Sequence, residues 1–414
     1  MKIKPYSIMI MQVKLVEKLQ WGQYVTPLSD KNIPPFNWYS FKHRFGSELV
    51  SRIFSEFRLS AGDTVFDPFL GGATTLIKAK LDGYNAVGLD ISPLSVFLSN
   101  ALTSTYNPQS LKKTLKEISH EIDPGVEIPD VAILRKAFSG QTLKYIYSVR
   151  NSINQLESQE KDFYLFSLLC MLNNISKAKK SGGFLRITDQ RKVSASIAKK
   201  MFVEHSEKMI NDISLYNFSG STTQAKLGDA RNYPKGIKNE TYDAILTSPP
   251  YPNRHDYTRI YELELLVGFI DNNNSLKSLR YDTLRSHVEA KQRYSSNGYV
   301  IPSLLEQKME ELKNQDLNNG QVIPTLYGYF EDMYLCLKEM HRVLKRGKYI
   351  GLVVSNVRYA GVIIPVDELL SEIGEQTGLK TKWIYVLRYR GNSSQQMLRH
   401  KRTPVRESLI IWEK

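Results

Sequence analysis

The sequence predicts a doubly wound α/β fold, in which helices cover both faces of a mostly parallel sheet of about seven strands. The first observation is that residues 51–99 follow the order helix, strand, loop, helix, strand, which is the unit that builds such sheets. The second is that short apolar segments with strand character recur, at 64–66, 86–89, 225–227, 242–246, 349–354, 383–387 and 409–412. The third is that helical sequence separates the first five of them.

These elements fall into five consecutive regions. Residues 37–103 hold the first two strands and form the first half of the core. Residues 104–221 show mainly helical spacing of apolar residues and are too long for an ordinary connection, so they are predicted to be a helical insertion. The core resumes over 222–271, a polar segment over 272–324 forms a second, smaller insertion, and 325–414 completes the sheet. Either insertion is a candidate for substrate recognition.

Composition restricts the class of protein. The chain of 414 residues has a net charge of +14, which attracts polyanions such as nucleic acids. No apolar run approaches the roughly 18–20 residues that a membrane span needs. The two cysteines, Cys170 and Cys336, lie far apart, which excludes a cysteine-rich zinc site and indicates a reducing cytoplasm. We expect a cytoplasmic protein with no metal site and no membrane partner.

The first candidate site is the loop after the strand at 64–66, with the sequence Asp-Pro-Phe-Leu-Gly-Gly-Ala-Thr-Thr over 67–75. Glycines let the backbone approach a ligand closely, and free N–H groups of the following helix attract negative charge. Asp67 would repel a phosphate but suits a cationic amino group, and Asp90, at the end of the next strand, is placed to accept from ribose hydroxyls. The pair favours a nucleoside with an amino-acid tail. A purely structural turn, and a helix cap at Asp90 beside Ser92, remain as alternatives.

The second candidate site is Thr-Ser-Pro-Pro-Tyr over 247–251, directly after the strand at 242–246. Two prolines fix an extended backbone and remove two donors, so nearby carbonyls stay free as acceptors. The Ser248 side chain and the Pro249 carbonyl would grip both hydrogens of an exocyclic amine of a nucleobase, and Tyr251 would stack on a base that has left its helix. The alternative is a rigid turn after a strand.

Together the two segments resemble the cofactor and catalytic motifs of DNA amino-methyltransferases. The resemblance implies a Rossmann-like methyltransferase sheet, S-adenosyl-L-methionine as the cofactor, and methylation of the exocyclic amine of a flipped base in double-stranded DNA. Members with Ser-Pro-Pro-Tyr are mostly cytosine-N4 enzymes, whereas adenine-N6 enzymes more often carry Asp or Asn before the prolines. The order here, cofactor motif first, is the reverse of the common permuted class, although Asp-Pro-Phe is typical of that class.

The resemblance also assigns roles to individual residues. The catalytic residues are Ser248, Pro249, Pro250 and Tyr251. The cofactor-binding residues come from four places, namely Arg44 and Phe45 before the first strand, Asp67, Pro68, Phe69, Gly71, Gly72, Thr74 and Thr75 in the loop, Asp90 and Ile91 after the second strand, and Asp229 and Ala230 after the third.

Basic residues in loop-like sequence are candidates for contacts with DNA phosphates. They are Lys179, Lys180 and Arg186 in a stretch with paired glycines that we interpret as a mobile loop, Arg254 and His255 after the catalytic motif, Arg285 in the second insertion, and Arg399, Lys401 and Arg402 near the end of the chain. A cognate restriction endonuclease acting on the same site is an expected partner.

Other functions are compatible with these motifs. An adenine-N6 DNA methyltransferase would use the same site, and so would an RNA methyltransferase acting on guanine in transfer RNA. Only about 40 residues precede the core, fewer than the separate RNA-binding module of such enzymes needs. Methylation of a protein glutamine amide fits the basic composition poorly. A DNA-binding module on an inactive methyltransferase fold is disfavoured by the intact acids Asp67 and Asp90 and the intact motif at 248–251.

Overall fold

The computed structural model describes residues 15–118, 121–188, 193–218, 220–253, 255–317, 319–391 and 404–414. Its strands are β1 (Leu15–Glu17), β2 (Thr64–Asp67), β3 (Asn85–Asp90), β4 (Ala178–Ser181), β5 (Phe184–Ile187), β6 (Thr223–Leu227), β7 (Tyr242–Thr247), β8 (Leu344–Ser355), β9 (Val357–Tyr359), β10 (Val362–Ile364), β11 (Lys380–Arg390) and β12 (Val405–Glu413). Its α-helices are α1 (Ser47–Glu56), α2 (Thr74–Leu81), α3 (Pro93–Thr103), α4 (Pro108–Glu117), α5 (Ala132–Ala137), α6 (Gly140–Asn154), α7 (Ser158–Ile175), α8 (Ala195–Asp212), α9 (Tyr257–Ile260), α10 (Glu262–Gly268), α11 (Asn273–Asp282), α12 (Ser303–Lys313), α13 (Val322–Val343) and α14 (Val366–Gln376). Short 3₁₀ helices cover Leu19–Val25 and Ile213–Leu215.

The central sheet contains eight strands in the order β1-β11-β12-β8-β7-β2-β3-β6. Strands β6, β3, β2, β7 and β8 run parallel, whereas β12 is antiparallel to both of its neighbours. This confirms the predicted doubly wound α/β sheet. Among the described strands of the central sheet, the sequence analysis lacks only β1, because three residues at the edge of a sheet carry too little pattern to be recognised.

The switch in strand order between β2 and β7 positions the functional site. The chain proceeds from β2 outward through β3 and β6, and then returns to pair β7 with the other side of β2. Ligands of doubly wound sheets bind outside the carboxyl ends of the strands at such a point. Asp67, the last residue of β2, and Thr247, the last residue of β7, therefore stand side by side at this edge.

Side chains of the central strands alternate between two apolar layers. Phe66 and Ile245 belong to a core formed with α13 and α14, whereas Val65 and Ala244 belong to a core formed with α1 and α2. All six residues of β7 are buried, as expected for a central parallel strand. The firm packing on both faces fixes the positions of the loops that leave the carboxyl edge.

The helical insertion contains α4 to α8, which share one apolar core with α3 and α10. Within it, the basic stretch interpreted as a mobile loop is an antiparallel hairpin of β4 and β5, in which Lys179 pairs with Arg186. Its turn contains Gly182 and Gly183, and Gly182 has a φ of +58°, which favours glycine. The polar insertion contains α11 and α12, separated by irregular chain. None of the helices in the described ranges has the length and apolarity to span a bilayer.

Candidate active site

A cavity of about 320 Å³ opens at the carboxyl edge of β2, β3 and β7. Its wall includes every residue predicted to be catalytic and every residue predicted to bind the cofactor except Thr75, which is buried in the first turn of α2. Segments far apart in the chain, around residues 41–45, 67–74, 228–230 and 248–261, thus meet at one place. Within the part of the chain described, no three His, Cys, Asp or Glu side chains form a group that would hold a metal ion.

Asp67 lies at the base of the cavity with its side chain inside the protein. Its Oδ1 accepts hydrogen bonds from the Thr247 hydroxyl at 2.6 Å and from the Phe69 backbone N–H at 3.0 Å. Burial raises the pKa of Asp67 to about 7, although these hydrogen bonds oppose the shift. Among the described residues no basic side chain forms an ion pair with it, so a cationic ligand would find an unpaired carboxyl group here.

Asp90 joins the glycine loop to the start of α3. One carboxylate oxygen accepts from the Gly71 N–H at 3.1 Å, and the other accepts from the Ser92 N–H at 2.9 Å. Burial of the carboxyl group raises its pKa to about 6. The bond to Ser92 is the cap-like interaction that the sequence left open as an alternative, and the bond to Gly71 shows that Asp90 also holds the loop of the site.

The glycine loop packs tightly against the segment that precedes α1. A Cβ on Gly72 would lie 2.8 Å from Cβ of Phe41 and 3.1 Å from Cδ of Arg44. A Cβ on Gly88, in the middle of β3, would lie 2.1 Å from Cδ2 of Leu70. Gly72 and Gly88 are therefore required by close packing of the loop. The sequence analysis missed Gly88, although a glycine inside a strand is a recognised sign of such an approach.

Arg44 lies in the cavity wall with its charge already paired. Its guanidinium donates to Asp30 Oδ2 at 2.9 Å and to the Phe36 carbonyl at 3.0 Å. Asp30 is fully buried and also accepts from the hydroxyl of Ser47 at 2.8 Å. The sequence analysis missed Asp30, since nothing in its neighbourhood marks it as the partner of a residue fourteen positions away.

The catalytic motif leaves β7 with Ser248 next to β8. The Ser248 hydroxyl donates to the carbonyl of Val353 at 3.0 Å, and its oxygen lies 3.5 Å from the hydroxyl of Tyr251. Tyr251 donates in turn to Glu407 at 3.3 Å. Burial and the nearby Glu407 raise the pKa of Tyr251, which keeps the phenol protonated. A serine has one proton to donate, so the oxygen of Ser248 is left as an acceptor.

Glu407 is a member of the site that the sequence analysis missed. It lies near the start of β12, is 4% exposed, and lines the cavity. Its carboxylate accepts from Nε of Arg388 at 2.6 Å, and Arg390 stands 3.9 Å away. No local sequence motif identifies Glu407 as part of the site, because β12 reaches the cavity only through its antiparallel pairing with β8 and β11.

Two histidines stack at the rim of the cavity. The rings of His43 and His255 have centroids 4.7 Å apart and planes 30° apart. Partial burial, followed by the nearby His255, Lys42 and Arg390, lowers the pKa of His43 to about 4, and burial also lowers the pKa of His255. Both rings are thus neutral at pH 7. His255 was predicted to contact DNA, and the structure places it in the wall of this cavity.

The Asp229 carboxylate is held by the protein itself. Arg231 binds it through two nitrogens, at 3.0 and 2.7 Å, and the Tyr294 hydroxyl donates to it at 3.2 Å. Arg231 also donates to the fully buried Asp332 at 3.0 Å, and Asp332 accepts from Nε of Arg285 at 3.0 Å. This cluster connects the loop after β6 to the second insertion. At this turn Gly228, Asp229 and Ala230 line the cavity, and the Asp229 carboxylate is already paired.

Apart from His255 in the cavity wall, the residues predicted to contact DNA divide into three groups. Lys179 and Arg186 are exposed on the β4–β5 hairpin. Lys180 and Arg285 correct the expectation of surface charges, because Lys180 forms a buried ion pair with Glu264 at 2.6 Å and Arg285 is 6% exposed beside Asp332. The remaining four, Arg254, Arg399, Lys401 and Arg402, lie outside the described residues.

Comparison with known proteins agrees with this site. The family model of D12 class N6 adenine-specific DNA methyltransferases matches residues 47–232. Type II methyltransferase M.BsoBI of Geobacillus stearothermophilus is 33% identical over 446 residues, covering 93% of this chain and 87% of the relative. Type II methyltransferase M.AvaI of Nostoc sp. is 28% identical over 426 residues, covering 93% and 88%.

Solved structures are more distant. A SAM-dependent methyltransferase from Methanosarcina mazei has a TM-score of 0.31 at 9% sequence identity, covering 87% of this chain and 96% of that one. This likeness is too weak to add to the sequence match. The similarity to M.BsoBI, by contrast, extends over nearly the whole chain and includes both halves of the cavity wall. The chain belongs to the Type II DNA methyltransferases of the restriction-modification kind and, within them, to the amino-methyltransferases.

Proposed function

We propose that this enzyme methylates the N4 amine of cytosine in double-stranded DNA. The observation that carries the proposal is the Ser-Pro-Pro-Tyr order at 248–251, on a loop that shares one cavity with the glycine loop. Adenine N6 is the second candidate, since the matching family model describes adenine-N6 enzymes. That match ends at residue 232, so it spans the cofactor half of the site and stops before the four residues proposed to hold the base.

S-adenosylmethionine is the methyl donor, and when bound it supplies a methyl group attached to a positively charged sulfur. The cavity suits it because the carboxyl groups of Asp67 and Asp90 have no cationic partner among the residues described. We propose that Asp67 faces the cationic amino-acid end and that Asp90 accepts from the ribose hydroxyls. The adenine then meets the backbone around Ala230, because Arg231 and Tyr294 occupy the carboxylate of Asp229.

The catalytic loop would activate the amine of the target base by position and hydrogen bonding. Such an amine is a weak nucleophile because its lone pair is delocalised into the ring. The Ser248 oxygen accepts one of its hydrogens, since the serine proton is given to Val353, and the Pro249 carbonyl accepts the other. Two acceptors draw the lone pair out of the ring and hold the nitrogen in line for transfer. The methylated nitrogen then loses its extra proton to water, so the reaction needs no catalytic base.

The decisive experiment is transfer of a tritiated methyl group from S-adenosylmethionine to double-stranded DNA, followed by nucleoside analysis. The expected product is N4-methylcytosine, and transfer RNA assayed in parallel should stay unlabelled. Ser248→Ala should abolish transfer and leave cofactor binding intact. Ser99→Ala is the matched control, because Ser99 likewise donates to a backbone carbonyl, but within α3 and outside the cavity wall. If the product is N6-methyladenine, the target base is adenine and the proposed activation of its amine still applies. Label confined to RNA would refute the assignment to DNA.

We also propose a cognate restriction endonuclease that cuts the same DNA site. Methylation at the target amine would block its cleavage, so plasmid recovered from cells that express this enzyme should resist digestion by that nuclease. We propose that the helical insertion contributes target recognition, since it carries the exposed cations Lys179 and Arg186. Plasmid that is methylated at the mapped site and yet cut at full rate would refute the shared site.

A further inference from the structure

The hairpin of β4 and β5 stands beside the cavity that would receive the flipped base. We propose that this hairpin enters the DNA duplex next to the target base, with Phe184 at its tip filling space in the base stack. The inference rests on the proposed function in one respect, namely that the partner is double-stranded DNA. It is independent of which base is methylated.

One face of the hairpin, which includes Lys180 next to the turn, is joined to the cavity wall. The Lys180 ammonium forms a buried ion pair with Glu264 and lies 4.0 Å from the ring centroid of Tyr261. Tyr261 stacks on Phe41 with centroids 4.5 Å apart, and both residues line the cavity. The Lys42 ammonium also donates to the carbonyl of Lys180. Because these contacts are buried and charged, the hairpin is held at a fixed distance from the site.

The contact between β5 and α9 also places the hairpin next to the cavity. Strand β5 packs against α9, whose Tyr257 and Thr258 line the cavity. The hairpin is therefore continuous with the surface that surrounds the entrance to the site. DNA that delivers a base to Ser248 would pass over this surface.

The opposite, exposed face of the hairpin has the chemistry of a nucleic-acid contact. Lys179 and Arg186 lie directly opposite each other across the two strands, and both are exposed. Like charges at opposed positions of a sheet destabilise it. Neither side chain has an acidic partner in the part of the chain described. Phosphates would remove this repulsion, and the pair is therefore better explained by an anionic partner than by the stability of the hairpin.

Phe184 follows the turn and is 54% exposed, although aromatic residues are usually buried. The turn residues Gly182 and Gly183 add no side chains, and nothing lies within 4 Å of the position of a Cβ on Gly182. The tip is thus narrow, and the major groove admits a two-stranded ribbon. Apolar side chains that proteins insert between base steps unstack them and stabilise distorted DNA. A single aromatic ring on the same exposed face as two cations suits DNA better than an apolar protein surface.

The test is single-turnover methylation by Phe184→Ala on two duplexes that contain the site mapped from the methylated product. One duplex is fully paired, and in the other the target base is mismatched, which lowers the cost of flipping it. We expect the variant to lose about tenfold or more in rate on the paired duplex and to approach the wild-type rate on the mismatched one. Phe184→Trp should keep the rate on both, as should Leu215→Ala, which removes an exposed apolar side chain elsewhere in the insertion. An unchanged rate on the paired duplex, or an equal loss on both duplexes, would overturn the proposal.

The two cations give a separate readout that does not depend on catalysis. In a Ser248→Ala background, Lys179→Gln and Arg186→Gln should each reduce the slope of log affinity against log salt by about 0.9. Arg346→Gln is the control, because Arg346 is exposed near the amino end of β8, at the edge of the sheet opposite to the cavity. Unchanged slopes in both hairpin variants would refute contact with DNA. If the methylated base is adenine and not cytosine, the proposed function changes, but the expected results for the hairpin variants stay the same.

Discussion

Replacing Asp67 with asparagine tests whether its carboxylate holds the positive charge of the cofactor. The residue is 2% exposed, and burial raises its pKa to about 7 from an ordinary value of 3.8. The amide oxygen of asparagine would keep the hydrogen bonds that Asp67 accepts from Thr247 and Phe69. The substitution therefore removes the charge and changes little else.

The magnitude follows from the ionised fraction. If only the ionised carboxylate binds the cation, a pKa of about 7 makes that fraction, and with it the contribution of Asp67 to the affinity, fall roughly 25-fold between pH 7.5 and pH 5.5. Asp90, with its pKa raised to about 6, loses roughly fourfold of its ionised form over the same window. In Asp67→Asn only this smaller change should remain. Calorimetric titration with S-adenosylmethionine at both pH values measures it, and a 25-fold change that persists in the variant would refute the role of Asp67.

The stability of the cofactor-free protein should depend on pH with a sign fixed by the same pKa. Because the folded pKa lies above the unfolded one, the folded state binds the proton more tightly. The contribution of Asp67 to the free energy of unfolding is therefore most favourable below about pH 4. It decreases by on the order of 4 kcal/mol as the pH rises to about 7. Asp67→Asn should lack this part of the dependence. Urea denaturation across this range measures it, and identical profiles for the two proteins would contradict the burial of a charge.

Three further substitutions test the packing and the positioning of the site. Gly88→Ala should lower the free energy of unfolding by about 1–3 kcal/mol, since its Cβ would lie 2.1 Å from Leu70; urea denaturation measures this, and wild-type stability would contradict the clash. Lys180→Met should cost about 3–5 kcal/mol because it leaves the fully buried Glu264 unpaired, and the double variant with Glu264→Gln should recover most of it. A double variant as unstable as the single one would show that charge is not the cause. Glu407→Gln should lower kcat about tenfold with little change in cofactor affinity, because the Tyr251 hydroxyl loses a charged acceptor. If kcat and cofactor affinity fell by the same factor, Glu407 would not act by positioning Tyr251.

The parts of the molecule that the sequence predicted are those whose signal is local. Asp67 ends one apolar strand and Ser248 follows another, and the two strands pair side by side as expected of a doubly wound sheet. The cavity that unites them follows from that topology. The basic hairpin was interpreted as a loop because its strands have only four residues each and surround two glycines.

The parts that the sequence could not predict depend on contacts between distant positions. Arg285 reads as a surface cation in a polar segment, yet its partner Asp332 lies 47 residues further along, on a helix whose acidic residue looks solvent-exposed in isolation. Glu407 reaches the cavity only because β12 returns antiparallel to β8. Charge pairing of this kind is decided by packing, and no spacing within the chain reveals it.

The buried cluster around Asp332 has a consequence for the evolution and engineering of specificity. Arg285 belongs to the polar insertion, Arg231 belongs to the loop that leaves β6, and both bind the same fully buried carboxylate on α13. The polar insertion could therefore not be exchanged between relatives independently of the rest of the protein. A donor segment without an arginine at this position would leave Oδ1 of the buried Asp332 without its guanidinium partner. A donor segment with an arginine there would need an acid at the matching place in the recipient helix. Hybrid enzymes should retain activity only when the segment and this one residue of the scaffold are exchanged together.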